Sequence, residues 1–239
     1  MTNYIEIAKS LGITKEFGVY VEDSCVKEDD ISHLLYQEFD KDFNVMSGAT
    51  KIVIFEDNSD YVLKIPFYGR IEFIYTEDNN WWEEEEFIPF NSAYGSMNND
   101  YCNAEIEIYE KVMKEAPQFL PMFVKTEKIY SDDNFSAYIQ KKVTTNGDLY
   151  ENKYIPTPSF KSYEHADNAR KNCRYSHLPH DRDWIARAYE FYGYDYVTDF
   201  LKYLDSADNK MFSDFHGGNL GYLETGAPVI FDYAGYHEE

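Results

Sequence analysis

The sequence predicts an α+β fold, with an antiparallel sheet in its first half and helices followed by a β-hairpin in its second. Three observations predict it. Between Asn44 and Pro66, short apolar runs alternate with turn residues, as in consecutive antiparallel strands. Around Tyr101–Met113 and Tyr196–Leu204, apolar residues recur at spacings of three and four, as on core-facing helices. Close to the end, Leu220–Leu223 and Val229–Phe231 flank Glu224-Thr225-Gly226, the makings of a hairpin.

The elements follow in order. Met1–Glu6 lacks a basic region leading into an apolar stretch, so no signal peptide is expected. Asn44–Phe55 reads as strand, small-residue turn at Gly48-Ala49-Thr50, and strand; Asp57–Asp60 is a tight turn; Tyr61–Pro66 is a third strand. Lys64 interrupts its apolar run. Burying a Lys is costly unless something anionic meets it, so it is either a phosphate-binding residue or a Lys snorkelling from an edge strand, as Pro66 would allow. From Pro66 to Asp100 the chain is long for a connection. The run Trp81-Trp82-Glu83-Glu84-Glu85-Glu86 within it reads as a solvated loop anchored by two Trp, with a contact patch for a basic partner as the alternative.

On the helix from Tyr101, the apolar arc takes in Cys102, Ile106, Ile108, Tyr109, Val112 and Met113. Glu105 lies three before Ile108 and projects with the buried stripe, whereas the helical phase turns Glu107 to solvent. A carboxylate at Glu105 needs a cation, and Lys64 is the candidate. A strand over Phe135–Gln140 leads through Lys141, Lys142 and Val143 to a turn at Thr144–Asp148. Tyr150–Arg182 is polar and poor in periodicity. His177 and His180 could be metal ligands, but Pro179 breaks helical geometry between them. Asp181 instead suits the N-cap of a helix through Trp184, Ala188 and Phe191. The helix carrying Tyr196, Val197, Phe200, Leu201 and Leu204 then leads to Ser213-Asp214-Phe215-His216-Gly217-Gly218-Asn219 and the closing hairpin.

Asp214 and Asn219, with Asp232 after the hairpin, are the residue types that phosphoryl transfer requires. One carboxylate meets the attacking hydroxyl, while an amide oxygen and a second carboxylate hold a hard cation on the phosphates. These residues, with Leu63-Lys64 and Ala104-Glu105, resemble the motifs of the protein kinase-like superfamily over roughly residues 40–236. The Asp-x-His-x-x-Asn form, with His216 two after Asp214, is most similar to aminoglycoside phosphotransferases and to short bacterial or bacteriophage kinases. Asp232-Tyr233-Ala234-Gly235 resembles a variant of the family's Asp-Phe-Gly.

The resemblance implies a single bilobal, minimal kinase-like domain spanning 1–239. It would comprise an N-terminal extension (1–42), an antiparallel-sheet N-lobe (43–140) and a truncated helical C-lobe (141–239). It implies ATP and Mg2+, with Asp214 as base or orienting group and Asn219 and Asp232 as metal ligands. Lys64 would hold phosphate oxygens with Glu105 behind it. The nucleobase would lie against Gln140 and Lys141, with Val45 and Ile52 above, Leu220 or Ile230 below, and Gly48 in the loop over the phosphates. Gly48 stands where relatives carry several glycines. With so few residues after Asp232, neither an activation segment nor a protein-substrate platform is expected.

Charge bounds the partners. Asp and Glu number 44 against 22 Lys and Arg, a net charge of −22. Such a balance opposes direct nucleic-acid binding and association with anionic membranes. It serves solubility, or else meets a basic protein partner or imitates DNA's charge. Cys25, Cys102 and Cys173 form no spaced pair, which suits a reducing cytoplasm without disulfides or zinc. The function expected is Mg-ATP-dependent phosphotransfer to an unidentified small-molecule or protein acceptor, in a protein of phage or mobile-element origin. Two rivals accompany it: an idle kinase fold acting as an acidic interaction protein, and a kinase fold transferring AMP.

Overall fold

The computed structural model describes residues 3–10, 19–21, 28–47, 51–66, 69–75, 82–89, 101–131, 136–145, 157–172, 179, 181–206, 215 and 217–234. The architecture is mixed α+β, with a five-stranded antiparallel sheet and several helices. The chain divides into two units, one of Met1–Asn103 with Thr126–Lys141, the other of Ala104–Lys125 with Lys142–Glu239.

In the first unit, alternation of apolar residues builds the sheet. Strands β2 (Asn44–Ser47), β3 (Lys51–Phe55), β4 (Tyr61–Pro66), β7 (Thr126–Ser131) and β8 (Ser136–Lys141) pair in the order β2-β3-β4-β8-β7. Successive side chains of a strand point to opposite faces, and one face here gathers the apolar core. Val45, Ile52, Ile54, Leu63, Ile65 and Ala137 form one core with Ile7 and Ala8 of α1 (Tyr4–Ser10) and Ile31 and Leu35 of α2 (Glu28–Phe39). Each Val, Leu or Ile side chain among them contributes about 1.5–3 kcal/mol when fully buried. Residues read from sequence as an N-terminal extension therefore close the core of this unit. Polar contacts fix α1 in place: the Tyr4 hydroxyl donates to the Tyr61 carbonyl at 2.6 Å and bonds the Ser59 hydroxyl. The turn before β4 is tied by the Ser59 amide donating to the Glu56 carbonyl at 3.0 Å.

A second sheet of this unit has the order β1-β5-β6, with β1 (Val19–Val21) parallel to β5 (Gly69–Tyr75) and β6 (Trp82–Pro89) antiparallel to β5. Glu83–Glu86, read from sequence as a loop, are therefore strand residues, and Trp81 lies outside the described residues. Pairing of Glu84, Glu85 and Glu86 with Ile74, Phe73 and Glu72 supplies a ladder that local propensity does not reveal, because strand preference depends on cross-strand neighbours.

In the second unit, α5 (Arg182–Tyr192) begins where its cap demands. The Asp181 carboxylate accepts from the Trp184 amide at 2.7 Å, satisfying an amide that the first helical turn leaves open. Trp184, Ile185, Ala188 and Tyr189 are buried, while Phe191, counted with them from spacing, is exposed. Gly193, at φ 91°, lets the chain turn directly into α6 (Tyr194–Leu204). Val197, Phe200, Leu201 and Leu204 of α6 are buried, as the spacing predicts. Phe119, in the 3-10 turn Pro117–Met122 after α3 (Tyr101–Glu115), packs among Tyr196, Phe200 and Tyr203 with ring centroids 5.4–5.5 Å away.

Two elements of this unit correct the sequence reading. The polar stretch before Arg182 contains α4 (Phe160–Asn172). It is held to α5 through polar groups, which hydrophobic periodicity cannot register. Arg182 donates to both carboxylate oxygens of Asp167 at 2.7 Å and lies over the Tyr163 ring, and the Ser162 hydroxyl donates to Glu190 at 3.0 Å. Thr144 and Thr145, read as a turn, form β9, which extends the hairpin of β10 (Leu220–Tyr222) and β11 (Pro228–Ile230) into a three-stranded sheet. Gly221 makes this possible: a Cβ there would stand 2.7 Å from the Thr144 carbonyl oxygen. Among the described residues, no helix is long and apolar enough to cross a membrane.

Candidate functional site

Lys64 occupies the middle strand of the five-stranded sheet and is only 2% exposed. That removes the edge-strand snorkelling alternative. Leu63 and Ile65 face α1 and α2, so Lys64 points to the other face with Val62. The register sets Val53 beside Lys64 on β3 and Tyr138 beside it on β8. Gln140 stands opposite Val62 on that same face, buried, its amide donating to the Thr126 hydroxyl at 2.9 Å. Lys141, one residue on, alternates to the opposite side and is exposed.

This alternation separates two of the residues expected at the nucleobase from Lys64. Val45 and Ile52 belong to the core beneath α1 and α2, on the face away from Lys64. The residues that share the face of Lys64 on β3 and β4 are Val53 and Val62. The signal for Val62 was present in the sequence, since a residue two before Lys64 on a strand must share its face. Val53 depended on the register of β3 against β4, which only folding settles.

On α3, Glu105 is fully buried alongside Cys102, Ile108 and Val112, while Glu107 is exposed, as the helical phase requires. Lys64 belongs to the first unit and Glu105 to the second. Removing a carboxylate or an ammonium from water costs several kcal/mol, roughly, even after relaxation. Both residues make interactions that offset this.

The hairpin of the second unit brings Asn219 and Asp232 to one end of a ladder. Leu220 and Ile230 are register partners, both fully buried. Beyond them, the Phe231 amide donates to the Asn219 carbonyl at 3.1 Å, so Asp232 follows directly on the residue bonded to Asn219. Asn219 is 7% exposed and closes the short 3-10 turn Gly217–Asn219. On the other side of Asp232, Tyr233 is fully buried, packs edge-on against Phe123 with centroids 5.1 Å apart, and donates its hydroxyl to the Val124 carbonyl at 3.1 Å. Asp232 is thus held between two residues with fixed partners.

Asn219 and Asp232, at adjacent ends of one hairpin, both carry oxygen donors of the kind magnesium accepts. Among the described residues, no three His, Cys, Asp or Glu side chains gather as metal ligands. Phe215 is fully buried, but its neighbours Asp214 and His216 lie outside the described residues, as do Gly48, Cys25, Cys173, His177 and His180. Compared with known protein families, with curated proteins and with solved structures, the chain matches none.

Proposed function

We propose that this chain is a cytoplasmic, magnesium- and ATP-dependent phosphotransferase built on a minimal, bilobal protein kinase-like fold. The observation that carries it is a Lys buried on the third strand of an antiparallel sheet, in a chain whose closing hairpin joins Asn219 to the segment bearing Asp232. Protein kinases carry their phosphate-binding Lys on the corresponding third strand and their metal ligands on the catalytic-loop Asn and the following Asp. In this role the Lys64 ammonium holds phosphate oxygens of ATP. Asn219 and Asp232 would hold magnesium, which would supply charge neutralisation at the phosphates. Asp214 accepts the proton of the acceptor hydroxyl as its oxygen bonds the γ-phosphorus, and ADP leaves. Positioning and charge stabilisation supply the rate.

A thermal-shift titration tests this. ATP with magnesium should raise the melting midpoint, since a ligand at a hundred times its Kd stabilises by about 2.7 kcal/mol. Asp232→Ala should abolish the magnesium-dependent part of that shift. Asp214→Ala should keep it while losing phosphoryl transfer by orders of magnitude. A wild-type chain indifferent to ATP at millimolar concentration would end the proposal.

One observation favours a second reading. The net charge of −22 suits an acidic surface that meets a basic protein partner. In that case, neutralising Glu83–Glu86 removes function, Asp214→Ala does not, and partner binding weakens steeply with salt.

A further inference from the structure

Charge is distributed unevenly over the five-stranded sheet. In a chain with 44 acidic and 22 basic residues, the strand positions on the face away from α1 and α2 include Lys51, Lys64 and Lys128 and not one Asp or Glu. Register defines that face. Lys51 stands opposite Pro66, Val53 opposite Lys64, Lys64 opposite Tyr138 and Tyr138 opposite Lys128. Lys128 is exposed, its ammonium 5.2 Å from the centroid of the Tyr138 ring. Lys51 is different. It is 6% exposed, hardly more than Lys64, and lies diagonally across the β3–β4 ladder from it. Diagonal neighbours on one face of an antiparallel pair are about 7–8 Å apart at the backbone, within joint reach of two Lys side chains. Both residues also make interactions within the chain. A ligand whose own negative charge is spread along a chain of similar length meets both at once.

We propose that Lys51 and Lys64 form a two-cation site for the phosphate chain of a nucleoside triphosphate, with Lys51 the second phosphate-binding residue; this deepens, and rests on, the phosphotransferase reading. Lys64 alone answers one phosphate. The pair selects a triphosphate over a monophosphate, so affinity depends on chain length and Lys51 carries much of that dependence.

Calorimetry with ATP, AMP and inorganic triphosphate tests it, without magnesium so that the hairpin residues do not contribute. Lys51→Met should weaken ATP and triphosphate about tenfold and AMP less than twofold, with Lys51→Arg retaining most of the ATP affinity. Equal weakening of ATP and AMP, or no weakening of either, overturns the assignment. The wild-type chain supplies a readout that needs no variant to fold. On titration with inorganic triphosphate, the side-chain 15N resonances of both Lys51 and Lys64 should move together. Movement of Lys64 alone sinks the two-cation site and leaves the phosphotransferase reading standing. Movement of both, with ATP bound but no phosphoryl transfer to any acceptor, keeps the site and sinks that reading.

Discussion

Tyr196 shows how a single side chain ties composition to stability. Its hydroxyl donates to the Gln118 carbonyl at 2.6 Å, and burial pushes its pKa up to about 12. Burial likewise raises Tyr192, whose hydroxyl donates to the carbonyls of Pro121 and Pro228 at 3.0 Å. An unfolded Tyr loses its proton near pH 10, roughly, so between there and about 12 the folded chain holds protons that the unfolded chain has released. The resulting stability is complete below the unfolded value and is lost as pH rises through the folded one. Tyr196→Phe should therefore flatten the alkaline decline without abolishing it, since Tyr192 remains. It should also cost about 1 kcal/mol at neutral pH through the lost hydrogen bond. Urea midpoints measured from neutral pH to pH 12 would check both, and an unchanged alkaline slope would refute the assignment.

At the scale of elements, β9–β10 depends on the absence of a side chain. Gly221 lies under the Thr144 carbonyl, and its own carbonyl accepts from the Trp184 indole at 3.2 Å, so strand, hairpin and α5 meet at one backbone position. Gly221→Ala places a methyl group against backbone that cannot rotate away. We expect a loss of roughly 1–3 kcal/mol, of the size that overpacking costs. Faster hydrogen exchange should be confined first to Thr144 and Thr145, and uniform exchange across the unit would argue that β9 is not the element displaced. The same hairpin holds Asn219 and Asp232, so the substitution also tests whether the nucleotide binding proposed above depends on its register.

For the whole molecule, net charge is the dominant long-range term. A charge of −22 repels itself in the folded state, and the repulsion is screened over about 10 Å at 0.1 M salt. Raising sodium chloride from about 0.02 M to about 0.3 M should raise the melting midpoint, because the Debye length then falls below the spacing of many surface carboxylates. A midpoint that falls over this range would mean that local ion pairs such as Arg182–Asp167 outweigh the net repulsion.

Much of the fold and part of the candidate site were legible in the sequence. The strands from Asn44 to Pro66, α3, α6, the closing hairpin and the Asp181 cap all announce themselves through short-range rules: alternation, helical spacing, turn chemistry and capping. Burial of Glu105 follows from helical phase alone. What only the tertiary structure decided depends on partners distant in the chain. Glu83–Glu86 become strand because β5 offers a ladder, and Thr144–Thr145 because Gly221 leaves room. The α4 helix is held by Arg182 and Glu190 from another element. Which residues share the face of Lys64, Val53 and Lys51 among them and not Ile52, rests on strand register. A one-residue slip would invert that face, and no local preference specifies the register; burial of one apolar face beneath α1 and α2 does.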